Sequence, residues 1–399
     1  MTAAPGTAIP ATPQGAVRRA MICGLIVVAA QALRVATGQP ALADGRLFDP
    51  DCYMHLQRAL QMIEGGLWRL PVDPRMDAPY GGVLHWTSLF DLLLVLGAKG
   101  LAAFGLPIRD ALFWWGSMLS PLLLAASLPV LFWGVRRLPG QPMLALMTVL
   151  LVVQGQLGAA FQFGRPDHQS LLLACFLVEL GCAVAMVAGH AGARAAVMAG
   201  VAQGLALWCS MEGLVFLPVV ALPLALAWAL DGRPRLGLVR LFAASALTMV
   251  VLALAYERPE GPQLVAQARL SLVHAVALAG GLAALLLAWP VERRLGSRPM
   301  RFGLLAAMAV VAAVPVLALF PDFAAGPWGK LDPVLVTWHQ EIEELRPLRP
   351  TNAAGLALFL GHLGIALAVL PWLCIRFVNS SPAQRLELLP LVLTAVLFV

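Results

Sequence analysis

The chain is 399 residues long, 60% hydrophobic and only 12% charged, with a formal net charge of +6 and a mean hydropathy of +0.83. Soluble domains are about 45 to 50% apolar, so this composition excludes a soluble globular protein and predicts a chain that crosses a membrane several times. No basic stripe interleaved with aromatics accompanies the positive charge, which excludes nucleic acid as a partner.

Apolar runs of roughly 17 to 25 residues, the length that spans a bilayer as a helix, recur along the chain. They fall at 18–37, 110–134, 141–161, 169–189, 195–211, 214–230, 237–256, 264–290, 302–320 and 353–375, and another begins near 386. Backbone groups in lipid must pair within their own segment, so the expectation is an all-α polytopic membrane protein of about eleven transmembrane helices. Residues 1–17 read as a cytoplasmic tail and 18–399 as the transmembrane domain, with long external loops over 38–109 and 321–352. This orientation places Arg136, Arg137, Arg293, Arg294 and Arg376 inside, as the positive-inside bias requires. It has one condition: the apolar stretch from Trp86 to Phe104 must not cross. Asp91 and Lys99 within it fit an interfacial or re-entrant helix whose polar residues turn to water.

Most acids then lie on the outer side, with Glu179 alone at mid-span. Arg18-Arg19, the apolar Met21 to Ala32 and Ala41-Leu42-Ala43 imitate a secretory signal. Gln31, Arg34 and the long gap to Ala43 weigh against cleavage. The expected setting is a multi-pass protein of a bacterial inner membrane, its loops and site on the periplasmic or external face.

Four polar stretches interrupt the apolar pattern. The first runs from Arg46 to Arg58. Asp49 stands ahead of a helix that Asp51 could cap, and Asp51, His55 and Arg58 share one helical face. Asp49 is a candidate metal ligand; the alternative makes it and Arg58 solvated loop charges. Past Gly65-Gly66, the turn-rich segment from Val72 to Gly82 reads as a connector, with Asp73 and Asp77 as weaker substrate contacts. The second stretch is Phe163-Gly164-Arg165-Pro166-Asp167-His168-Gln169-Ser170. A turn needs only Gly164 and Pro166, and ionisable residues beside a membrane are functional by default. Capping by Asp167 is the structural alternative, while His168 fits either a metal shell or a phosphate. In the third, Leu207 to Leu214, Glu212 is a loop acid or the wall of a polar cavity, and Trp208 an interface anchor. The fourth, Pro321 to Asn352, has the length of a lid or binding element. Its Glu341, Glu343 and Glu344 read on composition alone as a solvated face.

The order of these motifs resembles the catalytic subunits of oligosaccharyltransferases, within the GT-C superfamily of polyprenyl-linked sugar transferases. The residues that carry the likeness are Phe48-Asp49-Pro50, Gly105-Leu106-Pro107-Ile108, Asp167-His168-Gln169, Trp208 to Gly213, and Glu341-Ile342-Glu343-Glu344. The resemblance covers nearly the whole chain and implies a GT-C-like bundle. It makes Asp49 and Asp167 metal-site carboxylates that also engage the acceptor, with Glu344 reaching the same site from the long loop. Where the family has a further acid, this chain has Gln169, and His168 is the substitute ligand. Asp51, His55, Arg58, Arg165, Glu212 and Arg346 are expected to bind substrate, the arginines as phosphate partners. A hard cation held by carboxylates, Mg2+ or Mn2+, would stabilise the leaving phosphate.

The implied activity is metal-dependent, inverting transfer of a sugar or oligosaccharide from a polyprenyl-(di)phosphate donor on the outer face of the membrane. The family's Trp-Trp-Asp motif, carried on a C-terminal soluble domain, does not occur in these residues. The acceptor is therefore open among protein, lipid and glycan. Two other readings stand beside this one: transfer of a single sugar from a polyprenyl phosphate to a lipid or polysaccharide, and transport of a lipid-linked saccharide. Transporter sites lie near the midplane, where only Glu179 sits.

Overall fold

The computed structural model describes residues 12–38, 44–76, 78–84, 86–137, 155–232, 234–258, 269–292, 294–295, 297–325, 332–334, 336–337 and 350–397. Asp77, Glu341, Glu343, Glu344 and Arg346 lie outside the described residues.

Thirteen α-helices are described: α1 (Pro13–Gly38), α2 (Pro50–Glu64), α3 (Leu89–Ala102), α4 (Ile108–Val135), α5 (Gly155–Ala160), α6 (His168–Val187), α7 (Ala193–Cys209), α8 (Leu217–Asp231), α9 (Pro234–Glu257), α10 (Leu272–Glu292), α11 (Arg298–Leu319), α12 (Ala353–Asn379) and α13 (Pro382–Leu397). A 3-10 turn, Met211–Phe216, leads into α8. Among the described residues there is no strand, and Asp73 and Gly82 form an isolated antiparallel bridge.

The fold is that of an all-α membrane protein. Among the described residues, six segments are long and apolar enough to cross a bilayer: Ile108–Val135, His168–Val187, Met211–Leu230, Arg235–Glu257, Leu272–Glu292 and Arg298–Leu319. Six is fewer than the eleven runs of the sequence for identifiable reasons. α7 is apolar but only 17 residues long, most of 141–161 lies outside the described residues, and so do the side chains at several positions within α1 and α12.

α6 is the most buried of the six and packs against α4, α7 and α8. Small residues let the helix backbones touch. A Cβ on Gly134 of α4 would sit 2.0 Å from the Gly181 carbonyl oxygen of α6, and one on Gly200 of α7 would sit 2.3 Å from the Phe242 oxygen of α9. Any side chain at either glycine would push the pair apart.

α3 has 14 residues, about 21 Å at 1.5 Å per residue, too short for a hydrocarbon core of about 30 Å. It packs against α2 and α4. One expectation about it is overturned. Lys99 is exposed, but Asp91 does not turn to water: it is 0% exposed, because donors on the facing side of α2 take up both its oxygens.

Candidate functional site

The site is built where two helices begin. Pro50 occupies the first turn of α2, and this makes Asp49, not Asp51, the N-cap. Asp49 Oδ1 accepts the Cys52 amide at 3.0 Å. Asp167 caps α6 in the same way, its Oδ1 accepting the Gln169 amide at 3.1 Å. Each carboxylate thus spends one oxygen on its own helix and presents the other to a common partner. Arg165 Nε lies 3.2 Å from Asp49 Oδ2, and Arg165 Nη2 lies 3.2 Å from Asp167 Oδ2. Capping and a place in the site are therefore not alternatives, since the cap is what aims the carboxylate.

Backbone bonds tie these two starts together. The Phe48 amide donates to the Gly164 oxygen at 3.2 Å, and the Gly164 amide donates to the Ser117 oxygen of α4 at 3.0 Å. Gly164 has φ +82°, a conformation that side chains rarely adopt. Ser120 of α4 donates to the Arg165 oxygen, and Ser170 donates to the Asp167 oxygen at 2.7 Å. Asp49 and Asp167, 118 positions apart in the chain (167 − 49), are thereby held on one guanidinium.

A second network lies beneath the first. His55 Nδ1 is 2.6 Å from Asp91 Oδ1, and Arg58 Nε donates to Asp91 Oδ2 at 2.7 Å. Arg58 Nη2 donates to the Leu70 oxygen at 3.0 Å. On the other side of the ring, His55 Nε2 lies 3.1 Å from His168 Nδ1. His168 Nδ1 also lies 3.0 Å from Asp167 Oδ1. The chain of contacts runs unbroken from Asp91 through His55 and His168 to Asp167.

Asp91 is the residue that sequence reasoning missed. Its signal was an acid inside an apolar helix, which the sequence reading turned to water; an ionisable residue in such a helix also pairs with a distant base.

The electrostatics follow from this crowding. Burial alone would raise the Asp167 carboxyl, but the hydrogen bond and charge of His168 and the Gln169 amide outweigh it. They hold Asp167 well below the usual carboxylate range. Asp51, in the first turn of α2, is pushed the other way by burial and then by the charges of Asp167 and Asp49.

The third stretch also docks here. The Thr87 amide donates to the Cys209 oxygen at 3.1 Å, and the Trp208 indole N–H donates to Glu257 Oε1 at 2.9 Å. Trp208 is thus hydrogen-bonded to a carboxylate as well as apolar at its ring. Glu212 is exposed at the start of the 3-10 turn that follows.

Among the described residues, His55, Asp167 and His168 form a group able to hold a metal ion, each offering one ligand atom, all within 4.8 Å of one another. Two imidazoles and one carboxylate fit a divalent transition ion better than Mg2+, which prefers oxygen. His55 enters this group although its sequence pattern marked it only as a substrate contact.

No protein-family model and no curated protein matches the chain. Solved structures do match. The crystal structure of the Archaeoglobus fulgidus oligosaccharyltransferase in the apo form superposes with a TM-score of 0.68 at 15% identity, over 96% of this chain and 47% of that one. Archaeal oligosaccharyltransferase AglB from the same organism, in complex with an inhibitory peptide and a dolichol-phosphate, gives 0.69 at 15% identity, over 97% and 47%. A complex of the enzyme with Zn and sulfate gives 0.66 at 17% identity, over 96% and 45%. At these identities the likeness is one of fold, and the chain spans about half the length of the structures it matches.

Proposed function

We propose that the chain is a membrane glycosyltransferase of the oligosaccharyltransferase kind, moving a sugar or oligosaccharide from a polyprenyl-(di)phosphate to an acceptor at the outer face. About eleven spans, the external placement of 38–109 and 321–352, and a site on the periplasmic side belong to the same reading. The observation that carries it is the convergence of Asp49 and Asp167 on Arg165 within a fold shared with AglB.

In the reaction, the bond from the anomeric carbon to the phosphate oxygen breaks as the acceptor nitrogen or oxygen bonds from the opposite face, inverting that carbon. The proton of the acceptor passes to a carboxylate. Asp49 suits this step, because its side chain is 23% exposed against 2% for Asp167. Arg165, already aligned between the two acids, is the cation placed to steady the departing phosphate. A divalent cation held by Asp167, His55 and His168, with Mn2+ favoured over Mg2+ by the imidazoles, would add electrostatic stabilisation of that phosphate. Asp91 acts through His55 as a positioning residue, fixing its tautomer. Glu344 and Arg346, from the long loop, would complete the site over the acceptor and the phosphate.

The test is loss of polyprenyl-linked sugar donor by purified protein, with Mn2+ and after chelation. Asp49→Asn and Asp167→Asn should each abolish metal-dependent loss while the protein stays folded. Wild-type turnover in either variant would sink the shared carboxylate site.

A further inference from the structure

The metal expected between Asp49 and Asp167 has a competitor for its place. Arg165 Nε lies 3.2 Å from Asp49 Oδ2, and Nη2 lies 3.2 Å from Asp167 Oδ2. Nη2 also donates to Gln169 Oε1 at 3.3 Å. One guanidinium thus meets both carboxylates and the amide two residues beyond the second. It is packed in place, with its central carbon 5.2 Å from the centre of the Phe48 ring and the side chain only 12% exposed. The backbone beneath it is fixed as well: the Arg165 amide donates to the Gln162 oxygen at 3.2 Å, and the Arg165 oxygen accepts the Asp167 amide at 2.9 Å and the Ser120 hydroxyl.

A guanidinium stays charged throughout the physiological range, and its planar fork matches carboxylate oxygens. A divalent ion bridging Asp49 and Asp167 would have to enter the space these nitrogens hold, and two cations against the same oxygens repel strongly in a site this enclosed. The pair does not fit such an ion. Gln169 agrees with this, since a neutral amide adds no charge for a dication to offset. His55, Asp167 and His168 remain able to hold a divalent ion without Asp49. We propose that Arg165 is the resident cation of the Asp49–Asp167 pair, standing where a bridging metal would stand, and that an ion held by the histidines takes no oxygen from Asp49. Among the described residues Nη1 of Arg165 has no partner, and it is the nitrogen left for an oxyanion. That this oxyanion is the leaving phosphate rests on the transfer reading; the exclusion of a bridging metal does not.

The experiment measures Mn2+ binding to the purified protein in detergent, by the EPR signal of the free ion. It compares the wild type, Asp49→Asn, Arg165→Ala and the double variant Arg165→Ala/Asp49→Asn. Asp49→Asn should bind Mn2+ within about threefold of the wild type, the effect of a nearby charge that is not a ligand. Arg165→Ala should take up an additional ion, because removing the guanidinium leaves two carboxylates facing one space, and the double variant should lose that ion again. A loss of affinity of roughly tenfold or more in Asp49→Asn, the scale expected of a ligand, overturns the proposal. So does an Arg165→Ala protein that melts cooperatively, as the wild type does, and binds no more Mn2+ than the wild type. Should Arg165→Ala fail to fold, Asp49→Asn decides by itself. Mn2+ binding as expected with no donor loss from the wild type overturns the transfer reading alone; donor loss together with Asp49-dependent Mn2+ binding overturns this inference alone.

Discussion

Asp91 and Glu179 are buried to the same degree, each 0% exposed, yet they sit in opposite circumstances. In α3 both oxygens of Asp91 are taken, one by His55 and one by Arg58. At the middle of α6 neither oxygen of Glu179 has a hydrogen-bond partner. Burial by itself therefore does not identify a working acid. What separates the two is whether neighbouring elements bring donors, as they do where α2, α3 and the start of α6 meet.

The sharpest test of this contrast is Asp91→Asn. Removing one charge of a buried set strands the others, and we expect a loss of about 3 to 5 kcal/mol in reversible unfolding in detergent. A loss below about 1 kcal/mol would show that the set is not what holds α3 to α2.

Acid is the next probe, because the folded-state value of Asp167 lies below its unfolded one, ordinarily about 3.9. Its contribution to stability is fully present above that unfolded value and drains away as pH falls through the folded value. Below about pH 4 the melting temperature of the wild type should fall more steeply than that of Asp167→Asn. Parallel curves would remove Asp167 from the ionic set.

At Asp49, Ala deletes both the cap and the charge, whereas Asn keeps a capping oxygen. Asp49→Ala should cost about 1 kcal/mol of stability and Asp49→Asn only a few tenths, although both lose donor turnover. Equal destabilisation would mean that the charge, not the cap, holds the start of α2.

Glu179→Gln closes the comparison with the smallest change. With no partner to lose, we expect stability within about 0.5 kcal/mol of wild type, or slightly above it. A loss on the scale of Asp91→Asn would reveal an interaction that the geometry of α6 does not contain.

These contrasts also explain what could be read in advance. Asp49 and Asp167 were legible because each stands beside a proline at a helix start, where local rules act over a few residues. The cap itself was misassigned: the sequence reading gave it to Asp51, and Pro50 in the first turn of α2 gives it to Asp49. The partnership of Asp91 with His55 and Arg58 spans 36 and 33 positions, and helical periodicity says nothing at that range. Hydropathy found the long apolar helices, because an apolar run of membrane length is a local property of the sequence.

The two capped carboxylates have a mechanical consequence. Each is fastened through its first oxygen to its own helix, so the gap between the second oxygens is set by how two rigid rods lean and hardly at all by rotamers. α6 is long and apolar enough to cross the bilayer, and a spanning helix adjusts its tilt to bilayer thickness. The pair then behaves as the jaws of a caliper whose handle is immersed in lipid. Turnover across vesicles of graded acyl length should peak at one thickness and decline on both sides of it.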